Sequence, residues 1–383
     1  MRYLHITEAS GWTKYIVDIF ERAAPGQNLY LVKTEDRDDP RQSDSADVVH
    51  CRGGSPEYRA IIKRIAGFDL VVVHNLLNDY KVELILNAPK ATRIHWISWG
   101  DDIYCARGLR NSIFEERTQA LLESKRTKRQ RLAHRWLENT QLGAFAYDQA
   151  RFGWMRSRYD RIRQAARRVQ SISTIVPAES SLIARYFNPD VPCFTFFYGS
   201  LKHFIRGLPD EPTSGDAVFV GNSAYPSNNH LEAFDFIERT PQLAGCEIIT
   251  PLAYGDKFYG DVIEADGRRR FGARFAPLRE IVEYEAYVRM YARRGYVVMN
   301  HRRQQALGNL LPLLWQGSDV YMNPHSPVFA LLRASGIHVE TVGELSEPAC
   351  TLALDVQRGH LLNHFGDRAA VENARRILAQ EAP

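Results

Sequence analysis

Two stretches in the second half of the chain combine residue types that bind phosphate groups. In 218–230, VFVGNSAYPSNNH, an apolar run stops at Gly221 and Asn and Ser residues follow. In 301–317, HRRQQALGNLLPLLWQG, Arg302 and Arg303 precede an apolar helix with a glycine near its start. Glycine lets backbone N–H groups approach an anion, helix N-termini attract negative charge, and arginine binds phosphate oxygens in pairs. Each stretch alone is also typical of a capped turn, but together they predict a diphosphate pocket.

A third stretch, 251–260 (PLAYGDKFYG), adds an aromatic ring and a cation. Tyr254 could stack on a nucleobase or contact phosphate, and Lys257 could supply a point charge. The two glutamines of RRQQ could hydrogen-bond sugar hydroxyls, and the Gly-Asn pair that follows could let the helix N-terminus approach an anion. The candidate donor-binding residues are therefore Gly221, Asn222, Ser223, Asn228, Tyr254, Lys257, Arg302, Arg303, Gln304, Gln305, Gly308 and Asn309.

Acidic and aromatic residues in the first half of the chain predict a second site, suited to a molecule that accepts a transferred sugar. The stretch 96–104, WISWGDDIY, offers a general base, for which Asp102 is the first candidate and Glu8 of HITEASGW the second. An alternative is that Asp102 caps the helix that follows. The candidate acceptor-binding residues are Trp99, Gly100, Asp101, Tyr104 and His74. A histidine such as His74 is more often a core residue than a ligand.

Short apolar runs alternate with helical stretches along almost the whole chain, for example FDLVVVHN followed by NDYKVELILN. Strands buried on both faces and alternating with helices predict parallel sheets built from right-handed βαβ units. Such α/β sheets bind ligands at the carboxyl ends of their strands, and all the stretches above follow apolar runs. The Pro- and Gly-rich segment 207–216 predicts a linker, so we expect two doubly wound, Rossmann-like domains facing across a cleft.

The expected boundaries follow from that linker. We expect an N-terminal domain over 1–206 that contains a basic helical insertion at about 111–168, a second domain over 216–355 and a helical tail over 356–383. The insertion contains 124–135, with six Lys or Arg and no acid, and 151–168, with seven Arg and one Asp. These runs are typical of a solvated helical face, but they also suit anionic lipid, phosphate or nucleic acid.

Composition and motifs exclude several classes of protein. The five cysteines are scattered without a CxxC pair, which argues against disulfides and zinc and fits a reducing cytoplasm. The N-terminal residues lack a basic leader and an apolar signal core, so export is not expected, and no apolar run is long enough to span a bilayer. GxGxxG, P-loop and GxSxG motifs are absent, which disfavours dehydrogenases, ATPases and hydrolases. No spaced acidic pair suggests a metal site.

WGDDIY, VGNSAYPSNNH, the turn Pro-Leu-x-Tyr-Gly and RRQQALGNLL occur in this order, and together they resemble glycosyltransferase family 56. These bacterial enzymes move 4-acetamido-4,6-dideoxygalactose from a dTDP donor to a lipid-linked saccharide of enterobacterial common antigen. The resemblance covers roughly 93–327. It implies a GT-B fold that binds the nucleotide sugar on the C-terminal domain and the acceptor on the N-terminal domain. The dense arginines of the insertion, the HITEAS start and the loop lengths near Tyr254 depart from the family, so donor sugar and acceptor are not carried over.

We therefore expect a cytoplasmic, metal-independent glycosyltransferase without a cofactor, whose donor is a dTDP- or UDP-linked sugar. An inverting reaction would use Asp102 or Glu8 as the base, whereas a retaining reaction needs no protein base. The expected acceptor is a polyprenyl-linked saccharide, with the basic helices resting on the anionic inner face of the bacterial inner membrane. Two alternatives stay open: transfer to nucleic acid or protein, and a non-catalytic nucleotide-sugar-binding scaffold.

Overall fold

The structure is a computed structural model that describes most of the 383 residues. The described residues are 2–34, 47–106, 109, 112–125, 127, 158–188, 190–209, 215–282, 286–287, 290, 294–343 and 353–381. Most of the basic insertion predicted at 111–168, including 128–157, lies outside them. Among the described residues, no helix has the length and apolarity needed to cross a membrane.

The elements up to residue 209 alternate as predicted except for β3, an additional strand after β2. Their order is β1 (Tyr3–Glu8), α1 (Thr13–Ala23), β2 (Asn28–Lys33), β3 (Val48–Cys51), α2 (Pro56–Lys63), β4 (Leu70–His74), α3 (Asp79–Asn87), β5 (Ile94–Ile97), α4 (Asp101–Tyr104), α5 (Glu116–Ser124), α6 (Arg158–Ala166), β6 (Ser171–Thr174), α7 (Ser180–Tyr186), β7 (Cys193–Thr195) and α8 (Leu201–Ile205).

The alternation restarts with β8 (Ala217–Val220), α9 (His230–Arg239), β9 (Glu247–Pro251), α10 (Lys257–Phe271), β10 (Phe275–Leu278), β11 (Arg294–Met299), α11 (Leu307–Trp315), β12 (Asp319–Met322), α12 (Pro327–Ala334), β13 (Glu340–Thr341), α13 (Leu354–Phe365) and α14 (Asp367–Ala379). Short 3-10 turns lie at Ile65–Gly67, Pro177–Glu179, Pro226–Asn228, Pro241–Leu243 and Gly272–Arg274.

The strands form two all-parallel sheets. The first has the order β3-β2-β1-β4-β5-β6-β7 and the second the order β10-β9-β8-β11-β12-β13. In both sheets the strand order reverses beside the first strand of the unit, at β1/β4 and at β8/β11. Ligands of doubly wound folds bind outside the carboxyl ends of the strands at such a reversal. The predicted α/β class with two Rossmann-like domains is confirmed, and the two reversals indicate where each unit would bind its ligand.

The chain divides into two compact units, which differ from the predicted boundaries at both ends of the second unit. The first comprises Met1–Arg107, Leu137–Ser200 and Phe365–Pro383, and the second comprises Gly108–Trp136 and Leu201–His364. The end of the predicted tail thus belongs to the first unit, because α14 buries Ala374 and Ile377 against Ile16 and Phe20 of α1. The start of the predicted insertion belongs to the second unit.

Hydrogen bonds explain why α5 belongs to the second unit. The carboxylate of Glu232, on α9, accepts from the backbone N–H of Thr118 at 2.8 Å and from its hydroxyl at 2.7 Å. Leu121 of the same helix packs on the apolar core of the second unit, which is built from β8, β9, β11, α9 and α10. Sequence periodicity could not reveal these contacts, because the two partners lie far apart along the chain.

The described end of the basic run, on α6, is held within the first unit. Arg161 pairs with Asp79 and Glu83 on α3, and Arg168 donates to the carbonyl oxygens of Leu86 and Ala88. These two cations therefore stabilise packing of α6 against α3.

Truncation of Ile377 tests the docking of α14. The side chain is fully buried in the core of the first unit, so Ile377→Ala should lower the free energy of unfolding by about 2–5 kcal/mol. Arg375→Ala on an exposed position of the same helix should change it by about 0.5 kcal/mol or less. Urea unfolding measures both, and equal losses would contradict the docking of this helix.

Candidate active site

The loop after β8 is closed by the side-chain amide of Asn228. Its Oδ1 accepts from the backbone N–H of Asn222 at 2.9 Å, and its Nδ2 donates to the carbonyl oxygens of Ser223 and Tyr225, each at 2.9 Å. Asn228 is 1% exposed and Ser223 fully buried. Both were predicted to contact a ligand, but the structure uses them to hold the loop in shape because their polar atoms already have internal partners.

Gly221 is needed where β8 ends. Its φ is +67°, and a Cβ there would lie 2.6 Å from Nε2 of His230 and 2.7 Å from Oδ1 of Asn228. Any other residue would meet both the unfavourable left-handed backbone and these two side chains. The glycine therefore allows the loop to fold tightly over the end of its own strand.

His301 connects this loop to the end of β11. Its Nε2 lies 2.8 Å from Oδ1 of Asn228, and because an amide oxygen only accepts, Nε2 carries the proton. Burial, together with the nearby Arg303 and His230, holds the pKa of His301 well below its usual value. The imidazole is therefore neutral, and it positions Asn228 without adding charge.

Gln305 joins the same two loops nearer the surface. Its Nε2 donates to Oδ1 of Asn222 at 2.8 Å, and its Oε1 accepts from Oγ of Ser227 at 2.7 Å and from Nε of Arg303 at 2.8 Å. The structure thus brings together Asn222, Arg303 and Gln305, which were predicted from separate motifs. Ser227, which sequence reasoning missed, completes this network.

Tyr254 extends the network to the end of β9. Its hydroxyl lies 3.4 Å from Nδ2 of Asn222, and half of the residue is exposed. Tyr225 is similarly exposed, and the two rings meet edge to face with centroids 6.1 Å apart. Exposed rings at the carboxyl edge of the sheet provide a surface on which a planar base could stack.

The start of α11 supplies the positive end of a helix at this edge. Ala306 precedes the helix with a left-handed φ of +61°, a conformation that a non-glycine residue rarely adopts. Gly308 lies in the first turn, and Nδ2 of Asn309 donates to the hydroxyl of Tyr287 at 2.9 Å. The N–H groups of Asn309 and Leu310 donate to the carbonyl oxygen of Ala306, each at 2.9 Å. The N–H groups of Leu307 and Gly308, at the very start of the helix, are therefore the ones suited to an anion.

Three other predicted residues of the second unit differ in placement. Arg302 is half-buried, and within the described part of the chain its Nε has no hydrogen-bond partner. Gln304 is buried. Lys257 is 90% exposed and pairs with Asp261 one turn along α10. Arg302, next to Arg303 in the chain, therefore keeps an unused hydrogen-bond donor, whereas no contact within the described residues joins Lys257 to the network.

Asparagines that directly follow strands were missed by sequence reasoning. Asn300 and Asn323 follow β11 and β12 and donate to the carboxylate of Glu115, at 3.2 and 2.6 Å. Asn229, in a left-handed conformation, donates to the carbonyl oxygen of Asn300 at 3.0 Å and accepts from the N–H of Glu115 at 2.9 Å. The rule that functional residues follow strands could have found Asn300 and Asn323, but not Glu115.

The first unit contradicts the prediction of Asp102 as a base. The carboxylate is fully buried and accepts four hydrogen bonds: from the N–H of Leu76 at 3.0 Å, Nε1 of Trp96 at 2.9 Å, Oγ of Ser98 at 2.7 Å and the N–H of Trp99 at 3.2 Å. Burial raises the pKa of Asp102, and its hydrogen bonds act in the opposite direction. Asp102 therefore fixes the turn after β5. This role is close to the alternative interpretation, in which Asp102 caps the helix that follows.

His74 is likewise a core residue rather than an acceptor ligand. It is fully buried, and its Nε2 lies 3.1 Å from Nδ1 of His5, whose Nε2 lies 3.1 Å from Oδ1 of Asn28. Burial holds the pKa of His5 at about 3 and that of His74 well below its usual value. Both imidazoles are neutral and tie β1, β2 and β4 together.

Glu8, at the carboxyl end of β1, occupies the position where the strand order reverses. Its Oε1 accepts from Nδ2 of Asn75 at 2.8 Å, and its Oε2 pairs with Nζ of Lys81. Lys81 is fully buried and also donates to the carbonyl oxygen of His74 and to Oδ1 of Asn75. Burial lowers the pKa of Lys81 to about 8, which the charge of Glu8 partly offsets. The Glu8 side chain remains 25% exposed, so this held carboxylate can reach a ligand.

The remaining acceptor candidates surround the turn that Asp102 fixes. Trp99 is half-buried, with its ring centroid 5.4 Å from that of Tyr198. Gly100 precedes α4 with a φ of +96°, and Asp101 is exposed. Tyr104 is 7% exposed. Trp99 and Asp101 therefore have accessible surface, whereas Tyr104 packs inside the unit. The described residues contain no group of three or more His, Cys, Asp or Glu that could hold a metal ion.

Two Rossmann-like units, each with a parallel sheet and polar residues at its strand-order reversal, are the architecture of the GT-B fold. Solved structures with this architecture include OtsA, at a TM-score of 0.60 and 9% identity over 99% of both chains. The lipopolysaccharide outer core galactosyltransferase WaaB matches at 0.56 and 12% over 100% of both chains. The Anabaena protein HepE, solved in complex with UDP, matches at 0.51 and 10% over 100% of this chain and 96% of its own. These identities establish the fold alone.

The family is established by sequence. The model of the family described as 4-alpha-L-fucosyltransferase, glycosyl transferase group 56, matches residues 117–350. The chain therefore belongs to glycosyltransferase group 56 and is a glycosyltransferase, which confirms the resemblance found in its motifs. A search of the curated proteins by sequence gave no match.

A glycine pair of the second unit tests the geometry of the loop after β8. Gly221→Ala should lower the free energy of unfolding by clearly more than Gly245→Ala, because both have positive φ but a Cβ at Gly245 meets no atom within 4 Å. The shared backbone cost is about 1–2 kcal/mol. Chemical denaturation of the two variants gives the difference. If their stabilities are equal, Asn228 and His230 do not confine Gly221.

Proposed function

We propose that this glycosyltransferase takes a sugar from a dTDP- or UDP-linked donor bound by the second unit. The observation that carries the proposal is the hydrogen-bonded chain Tyr254–Asn222–Gln305–Arg303, which joins the loops after β8, β9 and β11 at the reversal of strand order. The UDP bound to HepE, a protein of the same fold, supports a nucleoside diphosphate as the leaving group.

Each part of a nucleotide sugar has a matching group on this edge. The rings of Tyr225 and Tyr254 would stack on the base, and Arg302, with the N–H groups at the very start of α11, would bind the diphosphate. Negative charge grows on the diphosphate as the bond to the sugar breaks. Hydrogen-bond donors of the protein that are already fixed in position stabilise that charge without rearrangement. We propose that they do so without a metal ion.

The acceptor hydroxyl is deprotonated by Glu8 in this proposal, which makes the transfer inverting. The acceptor oxygen attacks the anomeric carbon, the bond from that carbon to the diphosphate oxygen breaks, and the nucleoside diphosphate leaves with the electron pair. The hydroxyl proton passes to a carboxylate oxygen of Glu8. Asn75 and Lys81 hold this carboxylate from both sides, which keeps it oriented. Asp102 has no accessible oxygen for this role.

The proposed acceptor is a polyprenyl-linked saccharide at the cytoplasmic face of the bacterial inner membrane, as in surface polysaccharide synthesis. The ground for this choice is the resemblance of the sequence motifs to family 56 enzymes that act on lipid-linked saccharides. The proposed membrane contact would use basic residues outside the described part of the chain. Binding to vesicles that contain anionic lipid, and its loss at high salt, would test that contact.

Two substitutions separate the roles of Glu8 and Asp102. Glu8→Gln should lower kcat by about 10² to 10⁴-fold, the usual contribution of a general base, with nucleotide binding retained. Asp102→Asn should lower the free energy of unfolding by about 1–3 kcal/mol, because it leaves a buried N–H donor unpaired, and reduce kcat of the folded protein far less. Transfer assays, thermal melts and nucleotide titrations on both variants are needed. Full activity in folded Glu8→Gln would remove Glu8 from the reaction.

The donor site is tested by thermal shift with dTDP- and UDP-linked sugars in the presence of EDTA. A bound donor raises the melting temperature by mass action, and Arg302→Gln should weaken binding by about tenfold or more, because a charge-assisted hydrogen bond is lost. Arg269→Gln is a matched control, since Arg269 is 67% exposed and pairs with Asp266 on α10. Equal losses in both variants, or no stabilisation of the wild type, would contradict the site.

A further inference from the structure

A cavity of about 390 Å³ lies between α2 and α3 of the first unit. Tyr58 and Ile62 of α2, Ile65 just after it, and Tyr80 and Leu84 of α3 line it. None of these residues has a role in the site described above. The cavity has the size of a small-molecule site, and we call it the α2–α3 cavity.

One wall of the α2–α3 cavity is shared with the surroundings of Glu8. The hydroxyl of Tyr80 donates to the carbonyl oxygen of Thr7, the residue before Glu8, at 3.1 Å. The next residue, Lys81, pairs with Glu8 itself. The ammonium of Lys33, at the end of β2, lies 4.8 Å from the centre of the Tyr80 ring. Tyr80 therefore connects one wall of the cavity to the residue before the proposed base and to a cation.

The lining favours hydrocarbon over sugar. Ile65 and Leu84 are buried, Ile62 is half-buried, and Ala88 and Pro89 continue the apolar wall. Glu83 and Asn87 also line the cavity. Glu83 is exposed and pairs with Arg161, and Nδ2 of Asn87 donates to the carbonyl oxygen of Glu83 at 2.9 Å. A sugar on aliphatic side chains would lose hydrogen bonds to water without replacement. A hydrocarbon chain would instead gain about 25 cal/mol for each Å² of apolar surface buried.

We propose that the α2–α3 cavity binds the isoprenoid segment of the lipid-linked acceptor that lies next to its diphosphate. This inference rests on the proposed function, because it assigns the lipid part of that acceptor. Lys33, whose ammonium lies against the Tyr80 ring of the cavity wall, has a charge complementary to that diphosphate. The cavity runs beside α2, whose eight residues span about 12 Å. It therefore takes only the first isoprene units, and the rest of the chain stays in the membrane.

Direct binding tests the cavity without requiring activity. Farnesyl diphosphate and inorganic diphosphate are titrated calorimetrically into the full chain, with excess dTDP and UDP present to occupy the donor site. We expect farnesyl diphosphate to bind at least about tenfold more tightly, which corresponds to about 1.4 kcal/mol. Ile62→Gln, which makes the wall polar, and Ile62→Trp, which fills the cavity, should each remove this preference. Leu362→Gln, on an exposed position of α13, should keep it.

A wild type that binds both probes equally, or a preference that survives in both Ile62 variants, would overturn the proposal. Transfer assays then separate it from the proposed function. If the KM of saccharide diphosphates falls as the prenyl chain grows over its first isoprene units, and the Ile62 variants lose that trend while keeping kcat, the cavity is supported. If transfer proceeds with a KM independent of chain length, the cavity is excluded and the acceptor class stands. If no lipid-linked saccharide accepts sugar, the proposed acceptor class is wrong. The farnesyl diphosphate titration alone then decides whether the α2–α3 cavity binds an isoprenoid.

Discussion

The side-chain amide of Asn228 is the contact on which the site of the second unit depends. A buried backbone N–H must find an acceptor, and the tight turn at Gly221 leaves the N–H of Asn222 with that side chain as its partner. Once Asn228 is fixed by this bond and by His301, Asn222 points its own amide at Gln305 and Tyr254. Asn228, which a ligand cannot reach, thus positions the more exposed side chains around Asn222.

This arrangement explains which parts of the site could be predicted from sequence. Apolar runs indicate where strands end, and parallel strands end at one edge, so Asn222, Tyr254, Arg303 and Gln305 were correctly expected near one another. The direction in which each side chain points is a separate matter. Asn228 was expected to face a ligand and faces inward, because the donors that it satisfies belong to its own loop.

Two acidic residues of the first unit, Asp102 and Glu8, also show that position along the chain does not determine what a side chain faces. Glu8 ends β1 and Asp102 follows β5, and nothing in their local sequence ranks them. Three of the donors to Asp102 come from the segment just before it, at Trp96, Ser98 and Trp99, and the fourth is the N–H of Leu76 in the loop after β4. The buried cation beside Glu8 comes from α3. Burial and accessibility depend on how these groups meet in the fold, so only the folded arrangement could reverse the predicted order. The fold class needed no such information, because continuous apolar strands between helices already indicate parallel sheets.

The return of α14 to the first unit also bears on how the protein is made. During synthesis, the apolar face of α1 with Ile16, Ile19 and Phe20 emerges early, whereas the helix that covers it is translated only after the whole second unit. Domains generally fold as units while the chain grows, but this one is interrupted. The second unit can reach its native structure first, and the first unit must keep a partly open apolar surface until the last helix arrives.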